Sequence, residues 1–139
     1  NRDEAAVAGE MPRHAPASEL VCRAIKRLAG VNAAMWLSVT AGREGSWSWD
    51  GQTLEQVPAL EVPIASTAGA GDAHLSGVLA GLAAGLPLAE AQQLGTLVAA
   101  VSVTSPHTIH PTLSRVLLRR YACEHGANLS AAVLSLVED

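Results

Sequence analysis

Phenylalanine does not occur among the 139 residues of this chain, and the other aromatics are limited to three Trp and one Tyr. A core must therefore be filled by Ala, Val and Leu, and such small side chains reach normal packing density only where backbones approach closely. Charge is also sparse, at 16% of residues against 49% hydrophobic, far from the composition of a disordered chain. Basic residues are outnumbered, nine Lys+Arg against 13 Asp+Glu, for a net charge of −4. That balance argues against a nucleic-acid partner, whose phosphates must be neutralised in number, while leaving room for a single phosphorylated small molecule. Only two cysteines are present, Cys22 and Cys123, far apart and outside any C-x-x-C spacing. They make neither a disulfide framework nor a zinc site, and a reduced cytoplasmic setting is expected. The most apolar region, Val78 to Val103, is interrupted by Pro87, Glu90, Gln92 and Gln93 before a membrane-spanning length accumulates, so no membrane partner is expected. The opening Asn1-Arg2-Asp3-Glu4 has no signal-peptide pattern, and with no initiator Met the chain is expected to be part of a longer one.

What is present alternates between helix and strand patterns. After a polar opening and a loop at Pro12 and Pro16, Leu20, Val21, Ala24, Ile25 and Leu28 fall on one helical face, with Ser18 as the expected cap and Gly30 as the end. Met35 to Thr40 reads as a short buried strand leading into the glycine loop Ala41-Gly42-Arg43-Glu44-Gly45. Ser46-Trp47-Ser48-Trp49, then Asp50-Gly51, then Gln52 to Val57 reads as a hairpin with a two-residue turn. A long Ala/Leu/Gly helix is expected to open at Gly69-Ala70-Gly71-Asp72 and run to Gly85. A second should start at Pro87-Leu88 and run to about Thr104, followed by closing helices over Leu113 to His125 and Leu129 to Val137. The mixture predicts an α/β fold.

The Gly69-Ala70-Gly71 turn is the stretch with the most chemistry. Amides at a helix N-terminus lack intrahelical partners and carry the positive end of the helix dipole, so a glycine turn there suits a phosphate. Asp72 in the first turn either caps the helix or accepts a proton from a substrate hydroxyl. An anion cradle beside a carboxylate is what phosphoryl transfer to an alcohol needs, because positioning and charge stabilisation do most of the work. The competing reading is an ordinary helix start after a flexible turn.

Other motifs fail. No Lys-Ser/Thr follows the glycines as a P-loop needs, and His74 stands where a dinucleotide fingerprint needs Gly or Ala. Ser76 is not in a G-x-S-x-G elbow. His107 and His110 sit in a loop with no thiol or carboxylate nearby to complete a metal shell. Gly77, Gly81 and Gly85, four residues apart, predict close helix packing.

Three stretches follow one another along the chain: Asn1-x-x-Glu4, Val39-Thr40-Ala41-Gly42-Arg43-Glu44-Gly45 and Ser66-Thr67-Ala68-Gly69-Ala70-Gly71-Asp72. Taken together they resemble the ribokinase-like (PfkB) carbohydrate and nucleoside kinases. Ser66-Thr67-Ala68-Gly69-Ala70-Gly71-Asp72 is similar to that family's Asp-Thr-x-Gly-Ala-Gly-Asp motif. Asn1-x-x-Glu4 resembles its Asn-x-x-Glu motif, and Val39-Thr40-Ala41-Gly42-Arg43-Glu44-Gly45 its Val-Thr-x-Gly-x-x-Gly nucleotide loop, in the family's order. Residue by residue, the resemblance implies that Asp72 is the general base and that the amides of Gly69, Ala70 and Gly71 form the anion hole. It implies that Glu4 organises Mg²⁺ through water, that Asn1 approaches the ATP phosphates, and that Thr40, Gly42 and Gly45 line the nucleotide, with Thr96 near the adenosine. Without the resemblance, Asn1-x-x-Glu4 reads as a solvated polar terminus, and Gly42 and Gly45 as a βα or hairpin turn.

The implied fold is a ribokinase-like doubly wound three-layer sandwich, of which residues 1–139 would be the C-terminal nucleotide-binding part, inactive on its own. Ser66 replaces the motif's first Asp, which argues against activation by K⁺. The stretch Thr104 to Ser114, with Thr112-Leu113-Ser114 at its end, resembles pseudouridine kinases. The implied reaction is transfer of the γ-phosphoryl group of ATP to a primary hydroxyl, with pseudouridine first among acceptors. The alternatives are a ribose- or fructose-type carbohydrate kinase, or a non-catalytic nucleotide-binding relative. A homodimer of the full-length protein is compatible with the resemblance.

Overall fold

The computed structural model describes residues 1–138, which form two compact units divided after Pro58. The first contains α1 (Arg2–Gly9), α2 (Ala17–Ala29) and strands β1 (Leu37–Thr40), β2 (Ser46–Trp49) and β3 (Leu54–Val57). The strands form an antiparallel sheet in the order β1-β2-β3, with Thr40 opposite Ser46 and Trp49 opposite Leu54. Leu20, Val21, Ala24 and Ile25 of α2 share a core with Ala5 and Ala6 of α1, Val39 of β1 and Trp47 of β2.

Four details of this unit differ from the sequence reading. The buried strand expected over Met35 to Thr40 is shorter, Leu37–Thr40, with Val39 buried and Trp36 exposed. The polar opening is a helix, because Asn1 and Glu4 form a capping box that satisfies the first amides of α1. Helix α2 starts one residue before Ser18: Pro16 is the cap position and no side chain caps it, since its fixed φ of −53° already leads into the helix. The hairpin loop runs from Asp50 to Thr53 instead of two residues. The Asp50 carboxylate accepts from the amides of Gln52 (2.9 Å) and Thr53 (2.8 Å), and this Asx-type turn delays the return strand to Leu54.

The second unit, from Ala59 on, is helical: α3 (Ala70–Ala83), α4 (Leu88–Ser102), α5 (Arg115–Glu124) and α6 (Ala131–Val137). Leu94, Leu97, Val98 and Val101 of α4 pack with Leu118 and Ala122 of α5 and Val133 and Val137 of α6. Helices α3 and α4 meet backbone to backbone. A Cβ added at Gly77 would lie 2.7 Å from the Gly95 Cα, and one at Gly81 would lie 2.8 Å from the Ala91 Cα. This is the close approach that the small-residue composition demands. Gly85 takes no part in it; at φ 85° it makes the turn between the helices. Ser114 and Ser130 cap α5 and α6 through the amides of Leu117 and Val133. Among the described residues no helix is long and apolar enough to cross a membrane.

Candidate active site

The start of α3 is built by its backbone. Gly69 occupies the cap position at φ 79°, and no side chain caps the helix. Glycine is required there twice over, because the left-handed φ penalises any side chain and because a Cβ would lie 2.5 Å from the carbonyl oxygen of Thr108. Ala65 and Ser66 donate to the Val103 carbonyl at 2.8 and 3.2 Å, so the chain entering α3 runs beside the chain leaving α4. Ser66 Oγ accepts from the Ala68 amide at 3.2 Å, which places a hydroxyl where the resemblance would have a carboxylate.

Of the three amides assigned to the anion hole, that of Ala70 is taken up inside the turn, donating to the Thr67 carbonyl at 3.2 Å. The amides of Gly69 and Gly71 have no acceptor among the described residues, and neither has that of Asp72, which sequence reasoning did not include. A Cβ on Gly71 would meet nothing within 4 Å, so the space over this turn is open. Asp72 is exposed, and its carboxylate neither caps the helix nor has a partner among the described residues; only its carbonyl is engaged, accepting from Ser76 Oγ at 2.8 Å. Between the two roles open to Asp72 in the sequence, the cap is therefore vacated. Thr96 is half-buried on α4, directly after the Gly95 that abuts the His74 carbonyl.

His74, noted above only as an obstacle to another motif, is buried in the α3–α4 contact with Nε2 unpartnered. Desolvation holds its pKa down at about 4, so it is neutral.

In the first unit the remaining residues lie around α1 and the β1–β2 loop. The Asn1 carboxamide accepts from the amides of Asp3 (2.9 Å) and Glu4 (3.2 Å), and the Glu4 carboxylate binds the Asn1 main-chain nitrogen. The Asn-x-x-Glu spacing is itself a capping-box pattern, a signal that the reading as a solvated terminus overlooked. Thr40 ends β1 and is half-buried; Gly42 (φ 56°) opens a single 3₁₀ turn, Gly42–Glu44, which Gly45 (φ 90°) closes. Arg2 joins these two regions by an ion pair to Glu44. No group of three or more His, Cys, Asp or Glu among the described residues could by itself hold a metal. Single carboxylates such as Glu4 suit Mg²⁺ instead, which keeps its waters and takes most of its other ligands from phosphates.

Residues 1–115 match the pfkB family of carbohydrate kinases. The chain belongs to that family. It is 40% identical over 99 residues to the uncharacterized sugar kinase YegV of Escherichia coli (strain K12), covering 71% of this chain and 30% of that one. It is 38% identical over 65 residues to fructoselysine 6-kinase of Shigella flexneri, covering 47% of this chain and 25% of the relative. Phosphofructokinase-2 from Escherichia coli, solved in complex with potassium, superposes with a TM-score of 0.73 at 20% identity over 89% of this chain and 39% of its own. The pfkB-family chain thus has the ribokinase-like α/β fold, and spans less than half the length of these relatives.

Proposed function

We propose that the protein carrying this chain is an ATP-dependent kinase that phosphorylates a primary hydroxyl of a sugar. The observation behind this reading is the unpartnered Asp72 carboxylate in the first turn of α3, beside the free amides of Gly69, Gly71 and Asp72 itself. Asp72 would accept the proton of the acceptor hydroxyl while these amides hold the transferring phosphoryl group, and the open space over Gly71 admits both. Mg²⁺, held through water by Glu4 and chiefly by ATP itself, would neutralise phosphate charge. Asn1 would approach the phosphates and Thr40, Gly42, Gly45 and Thr96 the nucleoside end of ATP. A cytoplasmic setting goes with this reading, as do the exposed free thiols of Cys22 and Cys123.

The names of the relatives at 38–40% identity favour a carbohydrate acceptor. Pseudouridine is the second reading, favoured by the Thr104–Ser114 stretch, whose Thr108 carbonyl abuts Gly69. An ADP-release assay of the full-length protein with fructose, ribose, uridine and pseudouridine tests both. Turnover with a free sugar supports the first and selective turnover with pseudouridine the second. Mg-ATP binding without turnover on any acceptor of either class would overturn the kinase reading in favour of a nucleotide-binding module. With Ser66 in the turn, turnover is expected to be unchanged when K⁺ is replaced by tetramethylammonium at constant ionic strength.

A further inference from the structure

We infer that Arg2 and Glu44 form a clamp that positions the nucleotide loop, an inference that rests on the kinase reading above. The ends of the loop Gly42–Gly45 are held by the β1–β2 ladder, where Thr40 lies opposite Ser46, but its tip, Gly42 to Glu44, is exposed. Both flanking glycines have positive φ, a Cβ on Gly42 would meet nothing within 4 Å, and the turn's internal bonds (Ala41 to Gly45, 2.9 Å; Glu44 to Ala41, 3.1 Å; Gly45 to Gly42, 3.1 Å) close it onto the strands without reaching beyond the hairpin. Two side chains reach this tip, both at Glu44. The Gln56 amide on β3 donates to the Glu44 carbonyl at 3.3 Å, and the Arg2 guanidinium binds the Glu44 carboxylate.

Arg2 is itself anchored. Its second terminal nitrogen donates to the Ala15 carbonyl at 2.8 Å, and it stands next to the Asn1 and Glu4 cap at the start of α1. A fork engaged on two sides is pre-organised in a way that a free surface lysine is not. The pair is half-exposed, at 34% for Arg2 and 44% for Glu44, so its own energy is modest. Its effect is geometric: it ties the residues implied to meet the ATP phosphates, Asn1 and Glu4, to the loop implied to line the nucleotide. Arg2 and Glu44 are positioning residues in this role, since neither is placed on the substrate.

The test uses the full-length protein with Arg2→Met, Glu44→Gln and the double variant. Each single change should raise the KM for ATP about fivefold with kcat within twofold, and the double variant should be no worse than the poorer single. Trypsin supplies a readout independent of activity, because Arg43 lies exposed in the loop. In Arg2→Met, cleavage after Arg43 should be several-fold faster, while cleavage after Arg23 and Lys26 in α2 stays unchanged. An unaltered rate at Arg43, or KM effects that multiply in the double variant, would overturn the clamp. Failure of the kinase reading would look different: the unmodified protein would not bind Mg-ATP, although Arg2→Met still loosened the loop, and the clamp would then lose its assigned purpose.

Discussion

Helices α1 and α3 both begin at a motif implied to face phosphate, yet they are started by opposite means. At α1 side chains do the work: the Asn1 carboxamide and the Glu4 carboxylate satisfy the first amides, and Arg2 ties the helix to its neighbours. At α3 the backbone does it: Gly69 turns the chain, no side chain caps the helix, and the amides of Gly71 and Asp72 are left without acceptors. A helix start that satisfies its own amides is stable but can meet a ligand only through its side chains, whereas one that leaves them open is held together elsewhere, here by the glycine contacts of α3 with α4. The largest expected effect follows from this difference. If the kinase reading holds, Asp72→Asn should lower kcat of the full-length protein by about 10²–10⁴ while leaving Mg-ATP affinity and thermal midpoint close to unchanged, because the carboxylate makes no bond that folding uses. Near-normal turnover would remove Asp72 as the base.

The two units should also differ in acid. His74 is neutral in the α3–α4 contact, with a pKa lowered from 6.5 to about 4 by desolvation. Below pH 6.5 the unfolded chain takes up a proton that the folded one refuses, so stability falls with pH from about 6.5 down to about 4, by roughly 3 kcal/mol in all, and levels off below. The other carriers of charge on these two helices are Asp72 and Glu90. In the first unit the Asp50 carboxyl is held below its ordinary pKa of 3.8 by the amide hydrogen bonds from Thr53 and then Gln52. Its contribution is present above pH 3.8 and is lost only as pH falls below that. Urea midpoints between pH 7 and 4 should therefore drop steeply for the native protein and much less for His74→Met; equal slopes would discount His74 as the acid-labile group.

How much of this was legible beforehand follows from which forces act locally. The apolar face of α2 and the start of α4 are readable because periodicity and proline are encoded over a few residues, whereas α5 and α6 begin two residues later than expected, at Arg115 and Ala131, because the Ser114 and Ser130 hydroxyls cap them. The Asp50 turn was misjudged by two residues because a carboxylate reaching two amides outcompeted the shorter turn. At the candidate site, Asp72 and the glycines could be read from their pattern. The engagement of the Ala70 amide by Thr67 and the fit of Thr108 against Gly69 could not, since one depends on a particular turn geometry and the other on a contact between residues 39 positions apart. The Arg2–Glu44 pair was hidden for the same reason, being 42 residues apart in sequence.

Two glycines on α3 separate packing from ligand space. Gly77→Ala should cost about 2 kcal/mol, since its Cβ would sit 2.7 Å from the Gly95 Cα and the helices would have to part. Gly71→Ala meets nothing within 4 Å at an ordinary helical φ, so stability should hold or rise by up to about 1 kcal/mol. Its turnover should nevertheless fall, because the added methyl occupies the space over the free amides. Denaturation and ADP-release measurements on both variants give opposite patterns if the open start of α3 serves a ligand. A Gly71→Ala enzyme with full activity would show that the space is unused.

The smallest effect tests the other half of the contrast. Asn1→Ala removes the side chain that accepts from the Asp3 and Glu4 amides, at 2.9 and 3.2 Å, and should cost about 1 kcal/mol. Glu4→Gln keeps a group able to reach the Asn1 main-chain nitrogen, so a capping role alone predicts a loss smaller than that of Asn1→Ala. If Glu4 also organises Mg²⁺, Glu4→Gln should raise the Mg²⁺ concentration needed for half-maximal turnover, and Asn1→Ala should mainly speed hydrogen exchange at Asp3 and Glu4. Since α3 has no side-chain cap to lose, its exchange should be indifferent to both changes. Equal exchange at the start of α1 in the Asn1→Ala protein and its parent would mean that the capping box contributes nothing, and that the two helix starts differ less in their energetics than in their hydrogen bonds.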